Sequence, residues 1–386
     1  MLSIKENEFL TRVGPGTPAG TLLRRYWHPV AAAGEITEDR PLKAVKLLGE
    51  SLVLFRDQGG RYGLVGEKCP HRMASLAYGR VEADGIRCPY HGWKFDAAGN
   101  CLEQPAEPEG STYKDRVHHK AYPVEKLAGL LFAYLGPEPV PLLPRWDVLV
   151  REDGRRWLEI QSIIECNWLQ IMENSVDPAH LYWLHGRTAH LGRQVDHYEE
   201  KHEFIRFDYG IMKRRITPAS RTGEEPTIDQ HPLVFPTILR HVFRGDTGGA
   251  WHNMQIRVPL DDAHTQVYVV YFEPSTGGRT GGAVDAPYEY VSLKTADGQY
   301  RMDYVFAQDS MAWETQGPIT DRSQEHLGVE DEGILLLRRL VKEQIEIALG
   351  GADPLGIVRD PGKNHRIDFD VINERIGVGS RAQKVA

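Results

Sequence analysis

The chain has 386 residues, 41% hydrophobic and 26% charged, with 46 Lys and Arg against 54 Asp and Glu for a formal charge of −8. That length can bury two or three cores without disulfide staples, and the composition excludes a disordered or fibrous chain. The negative balance, with no Lys/Arg-rich tract, gives no electrostatic reason to bind nucleic acid or an anionic membrane, which leaves small molecules and other proteins as partners.

In chain order, Met1 to Glu8 carry charge where a signal peptide needs an apolar stretch. Arg24-Arg25 runs into Tyr26-Trp27-His28-Pro29 rather than an export segment, so a cytoplasmic protein is expected. The longest apolar runs, such as residues 127–135, fall short of the ~18 residues a bilayer span needs. Residues 42–135 alternate short strand-like runs with turn residues (Gln58-Gly59-Gly60, Asp84-Gly85, Gly99-Asn100), which predicts an antiparallel β module. Four prolines in residues 136–144 can hold neither a helix nor a central strand and mark a domain boundary. Beyond it, apolar residues at three- and four-residue steps predict a helix over 159–174, and alternation over 264–272 predicts a long strand. Residues 274–285 read as a mobile loop, and residues 332–349 as a helix opened by acids and ended by Gly350-Gly351. Helices flanking a long antiparallel sheet make the second domain α+β.

Four cysteines in a reducing compartment point to metal ligation or core positions before disulfides. Cys69-Pro70-His71 and Cys88-Pro89-Tyr90-His91 each place one thiolate and one imidazole in a Pro-containing turn. Structural zinc sites group cysteines and histidines in separate knuckles. Mixed pairs suit a binuclear cluster in which one iron takes both cysteines and the other both histidines. Cys101 and Cys166 lack partners at ligand spacing and read as small buried hydrophobes.

Together with its flanking text, Cys88-Pro-Tyr-His-Gly-Trp-Lys-Phe-Asp, this array resembles the Rieske [2Fe-2S] motif of aromatic-ring oxygenases, with Trp93 and Tyr90 as shields of the cluster. A cluster that carries single electrons needs a recipient. Asp177-Pro178-Ala179-His180 and His185 lie just past the boundary, but on a regular helix His185 would sit roughly 140° round from His180, so Pro178 and Gly186 predict a broken or distorted helix. The stretch resembles the D-x2-H-x4-H iron motif of Rieske oxygenase catalytic subunits, which makes His180 and His185 iron ligands by likeness.

Two histidines and a carboxylate form the facial set that leaves positions open on Fe(II). Spacing alone does not choose the carboxylate among Asp303, Asp309, Glu314 and Asp321. The segment from Gln308 to Ile319 is similar to the C-terminal block of the phthalate dioxygenase branch, and that likeness assigns Asp309. It also makes Asp177 the acid that joins His180 to a cluster histidine, His91, of a neighbouring subunit, and leaves the role of Glu173 open.

The resemblance implies a Rieske domain over residues 1–145, with its N-terminal extension, and a helix-grip catalytic domain over 146–386. It implies the terminal oxygenase of a Rieske non-haem iron system, with a [2Fe-2S] cluster, a mononuclear Fe(II) and O2 as co-substrate. By that likeness electrons would come from NAD(P)H through a separate reductase or ferredoxin, with which the lack of a Gly-rich nucleotide fingerprint is consistent. The reaction would hydroxylate, dihydroxylate or O-demethylate an aromatic substrate in a trimer or stacked trimers. Arg214, Arg215, Arg240 and Arg244, on predicted strands, are candidates for binding a substrate carboxylate. The rival is a non-catalytic Rieske carrier fused to a ligand-binding domain.

Overall fold

The computed structural model describes residues 1–186, 201–217, 227–244, 250–275 and 286–372. The loop predicted from residue 274 therefore falls almost wholly outside the described residues. Helices α1 (Ile4–Thr11) and α2 (Pro18–Leu23) open the chain. Strands β1 (Trp27–Ala32), β2 (Leu42–Leu47), β3 (Glu50–Arg56) and β4 (Tyr62–Gly66) follow, then the short β5 (Arg80–Glu82), β6 (Gly85–Arg87), β7 (Lys94–Phe95) and β8 (Cys101–Glu103). The N-terminal part closes with β9 (Ala121–Tyr122), β10 (Val124–Leu127) and β11 (Leu130–Tyr134). These eleven strands form three small antiparallel sheets, ordered β1-β11-β10, β2-β3-β4-β9 and β5-β6-β7-β8.

The second part begins with α3 (Asp147–Val150), β12 (Gly154–Gln161) and α4 (Trp168–Asn174). Strands β13 (Lys201–Phe207), β14 (Gly210–Thr217), β15 (Thr227–Val234), β16 (Ile238–Arg244), β17 (Ala250–Asp261), β18 (His264–Pro274) and β19 (Tyr288–Val291) follow, then α5 (Val305–Glu314) and α6 (Glu332–Leu349). Its single sheet has eight strands in the order β13-β14-β15-β16-β17-β18-β12-β19, antiparallel except for β12 against β19. The architecture is α+β, and α6 spans the predicted residues.

The helix expected over 159–174 is corrected. Residues up to Gln161 belong to β12, where Leu158 and Ile160 are buried at period two and pair with Val270 and Tyr268 of β18. The helix starts only at Trp168, because the Asn167 side chain accepts the Leu169 amide at 3.0 Å and caps it. A short apolar run fits both periods, and strand pairing decided between them.

The two parts share one core. Leu47, Leu52, Leu54 and Leu130 belong to the same buried cluster as Leu158, Met254, Ile256 and Val270. The β2–β3 turn, Leu48-Gly49, has both residues at positive φ (48° and 78°), as a two-residue type I′ hairpin requires. Its amides donate to the carbonyls of Pro259 (3.0 Å) and Leu260 (2.8 Å) on β17. A separate, smaller core (Val53, Phe55, Val65, Leu76, Ile86, Trp93, Phe95) surrounds Cys69 and Cys88.

Candidate metal centres

The loops carrying Cys69 and Cys88 are built alike. The Cys69 amide donates to the Ala74 carbonyl (2.9 Å) and the Met73 amide back to the Cys69 carbonyl (2.9 Å); the Cys88 amide donates to Trp93 (2.8 Å) and Gly92 back to Cys88 (3.2 Å). The residue four after each cysteine, Met73 (φ 61°) or Gly92 (φ 74°), takes the left-handed conformation that closes the loop. Each loop thus turns its cysteine inward and carries its histidine out over the tip.

Both sulfurs are buried and in no disulfide. Burial, together with the Cys88 sulfur beside it, pushes the Cys69 thiol up to about 12, while the His71 and Arg72 amides work the other way. Two adjacent thiols in an apolar lobe ionise readily only around a cation, and this donor set fits a cluster. The His71 and His91 ring centroids lie 4.5 Å apart, and Trp93 stacks on His71 at 4.5 Å and 5°. Tyr90 lies against His91 yet stays 57% exposed, so its shielding is one-sided.

The second centre forms where α4 ends. Past Ser175 the Asp177 Oδ1 accepts the Ala179 amide at 2.8 Å, an Asx turn at Pro178 that breaks the helix. A π turn, Leu181–His185, follows. In an i→i+5 turn residues five apart lie nearly one above another, which brings the His180 and His185 rings to 5.3 Å.

On α5, Asp309 faces both rings. Its Oδ1 lies 3.1 Å from His185 Nε2 and 3.9 Å from His180 Nε2, and one ligand atom from each of the three residues falls within 4.8 Å of the others. Asp309 Oδ1 is buried without a hydrogen bond although two ring nitrogens face it, as atoms aimed at a common point would be. Two imidazoles and one carboxylate suit Fe(II) with open positions. Of the four acids that spacing left open, Asp309 is the one in this set: Glu314 is tied to Lys294 (2.6 Å), Asp303 lies 3.9 Å from Arg301, and Asp321 binds Ser323. On its far side, His180 Nδ1 lies 3.5 Å from Asp177 Oδ2. Burial opposes the charge on Asp177, but His180 and the Ala179 amide hold its carboxyl below the usual range.

Several supports were not visible in the sequence. Gln308 accepts from His185 Nδ1 at 2.6 Å. Arg257, fully buried on β17, donates to the Ile171 carbonyl (3.2 Å), to Ser175 Oγ and to Gln255 (2.8 Å), and lies 5.7 Å over the Trp313 ring of α5. It fastens α4 and α5, on either side of the candidate iron set, to the sheet. Glu173 is a structural anchor, paired with Arg322 (2.7 Å) and Arg338 (2.6 Å). Glu173 and Arg338 lie on helices and Arg322 in a turn, and the partners come from residues more than 140 positions away, so no local pattern signals the pairs.

The arginine candidates are corrected in part. Arg240 is fully buried and spent on Asp147 (2.8 Å) and His252 (2.6 Å), and Arg214 pairs with Glu203 (2.6 Å). By strand alternation both lie on the sheet face opposite the metal centre, so neither can reach a substrate there. Arg215 is on the facing side but is paired with Asp229 at 2.5 Å. The Arg244 side chain lies outside the described residues.

Residues 26–123 match the family described as the Rieske [2Fe-2S] domain. The whole chain is 41% identical to the 5,5'-dehydrodivanillate O-demethylase oxygenase subunit of Sphingobium sp., covering 90% of that protein. Over 92% of the chain and 89% of the relative, it is 32% identical to the phthalate 4,5-dioxygenase oxygenase subunit of Pseudomonas putida. The solved structure of NdmA from Pseudomonas putida CBB5 shares the fold, with a TM-score of 0.68 at 21% identity over 87% of this chain and 94% of that one. Likeness over both parts at once defines an oxygenase component that works with two iron centres, not an electron carrier fused to a binding domain. The chain belongs to the Rieske non-haem iron oxygenase family.

Proposed function

We propose that this oxygenase acts on an aromatic carboxylic acid, with O-demethylation of a methoxylated ring its main reaction. In that reaction ArOCH3, O2, two electrons and two protons give ArOH, formaldehyde and water. The likeness to the dehydrodivanillate O-demethylase subunit over the full chain carries this reading. Residues 1–145 are the Rieske domain and 146–386 the catalytic domain. Cys69, His71, Cys88 and His91 hold the cluster, and His180, His185 and Asp309 hold the mononuclear iron. When bound, the cluster supplies single electrons and the iron activates O2. Asp177 orients His180 and faces the cluster edge of a neighbouring copy in a trimer.

Exposed Met73, Tyr78 and Tyr90 around the histidine loops support such an apolar contact with a second copy or with an electron donor. The donor is a separate reductase or ferredoxin. Among the described residues no helix is long and apolar enough to cross a membrane.

The test supplies NADH, a compatible reductase and a series of methoxylated aromatic acids, and measures formaldehyde against NADH consumed. Asp309→Ala and His185→Ala should each keep the visible spectrum of the cluster, hold two irons per chain instead of three, and release no formaldehyde. Three irons in Asp309→Ala would reassign the carboxylate, and failure of every acid to couple would overturn the substrate class.

A further inference from the structure

The inner face of the sheet, under the helices that carry the iron set, holds a charge that the fold does not satisfy. Lys213 of β14 is 3% exposed, and its ammonium has no hydrogen-bond or ion-pair partner among the described residues. An ammonium held this far from bulk water without a hydrogen-bond partner carries a desolvation cost that a bound anion would offset.

Its position follows from register. Lys213 stands opposite Phe204 of β13 and His231 of β15. A Cβ added at Gly333 would lie 2.4 Å from both Phe204 Cε1 and the Val176 carbonyl oxygen, so this part of the sheet lies beside the segment leading into Asp177 and His180. Lys213 and Asp177 are close enough for each to shift the other's ionisation.

The neighbouring groups are already committed. Asp229 is bound to Arg215 and, at 2.7 Å, to His231 Nε2, while His231 Nδ1 lies 2.6 Å from His241 Nδ1. Both imidazoles are held below their usual range, His231 by burial and His241 by burial and by His231, so they stay neutral at pH 7. Lys213 and Arg215 share this face with Asp229, Asp177 and Arg257, and Arg257 is also acted on by Asp309. Burial first, and Arg215 next, pull the Lys213 ammonium down to about 8, so it is still mostly charged at neutral pH. Asn253, on the same face and 2% exposed, leaves its Oδ1 without a partner.

We propose that Lys213 binds the carboxylate of the aromatic substrate, donating to a carboxylate oxygen, so that the ring is held between the sheet and the His180, His185 and Asp309 set. This rests on the substrate class proposed above and turns from Arg214 and Arg215, both paired, to their neighbour on the same strand.

The test measures binding, without turnover, by calorimetry on the anaerobic iron-loaded enzyme. The probes are 5,5'-dehydrodivanillate and its dimethyl ester, against wild type, Lys213→Met and Lys213→Arg, with the cluster spectrum as a check of integrity. Lys213→Met should bind the acid about 30- to 100-fold more weakly, as loss of a charge-assisted bond does, and the ester within about twofold of wild type. Lys213→Arg should recover most of the acid affinity. Equal weakening of acid and ester, or no weakening of either, would overturn the assignment and reduce Lys213 to a counter-charge for Asp177. If wild type itself binds no aromatic acid, the substrate class falls together with this assignment, an outcome distinct from binding that ignores Lys213.

Discussion

Gln308 sets the tautomer of His185. The Gln308 amide donates from Nε2 to the Met302 carbonyl at 2.6 Å, which turns Oε1 toward the imidazole, where it accepts from Nδ1 at 2.6 Å. With the proton held on Nδ1, the lone pair of Nε2 points at Asp309. Partners of this kind are worth roughly 10- to 100-fold in metal affinity. Gln308→Leu should therefore lose the mononuclear iron to a competing chelator that much more readily, with the cluster spectrum unchanged. Gln308→Glu, which still accepts, should stay near wild type. Unchanged retention in Gln308→Leu would show that packing alone orients the ring.

Asp177 touches His180 and the Ala179 amide with different oxygens. Asp177→Asn can keep the bond to Ala179 while removing the negative charge that faces Nδ1. Both centres should load, and rapid mixing of reduced protein with O2 and substrate should show cluster oxidation slowed by at least about 100-fold. A residue that only caps the turn predicts about 1 kcal/mol lost in stability and a normal rate.

Acid should expose the anchor at Glu173. Burial opposes its charge, but Arg322 and Arg338 outweigh burial and hold the carboxyl below its ordinary value of 4.5. A carboxylate depressed in the folded state contributes stability above its unfolded value, lost as pH falls through the folded one. Urea midpoints followed by tryptophan fluorescence should thus drop below about pH 4.5 in wild type. Glu173→Gln, left with two buried guanidiniums, should be about 3–5 kcal/mol less stable at pH 7 and should show a shallower fall across the same window. Parallel curves would mean that other carboxylates dominate.

Gly333 is confined from two sides. Since an added methyl would meet backbone at Val176 as well as the Phe204 ring, Gly333→Ala should cost about 1–3 kcal/mol by overpacking and push the Val176-Asp177 segment off the sheet. Thermal unfolding and iron retention should fall together. A variant as stable as wild type would show that α6 can shift without cost.

What could be read in the sequence divides along physical lines. The Cys/His loops stand out in the sequence as candidates because each donor pair is contiguous, and the His180–His185 pair because Pro178 and Gly186 announce an irregular turn, here the π turn. Choosing Asp309 required a family likeness, since helix spacing treats it and Glu314 alike. Gln308, Arg257 and Lys213 were invisible for one reason: their meaning is a cross-sheet or cross-helix relation, and local pattern does not carry it. The strand at Gly154–Gln161 was missed because pairing with β18, more than a hundred residues on, overrode its helical spacing.

The core that runs beneath the Leu48-Gly49 hairpin has a consequence for how the molecule comes apart. Because leucines of β2 and β3 are buried with residues of β12, β17 and β18, the two sides of the proline-rich stretch after Tyr134 should melt as one cooperative unit. The small core around Cys69 and Cys88 is the exception, a lobe that would lean for cohesion on the cluster proposed to bind there. Iron starvation would then leave a chain folded nearly throughout, with one frayed corner: a dormant scaffold awaiting repair by cluster insertion rather than a misfolded protein marked for disposal.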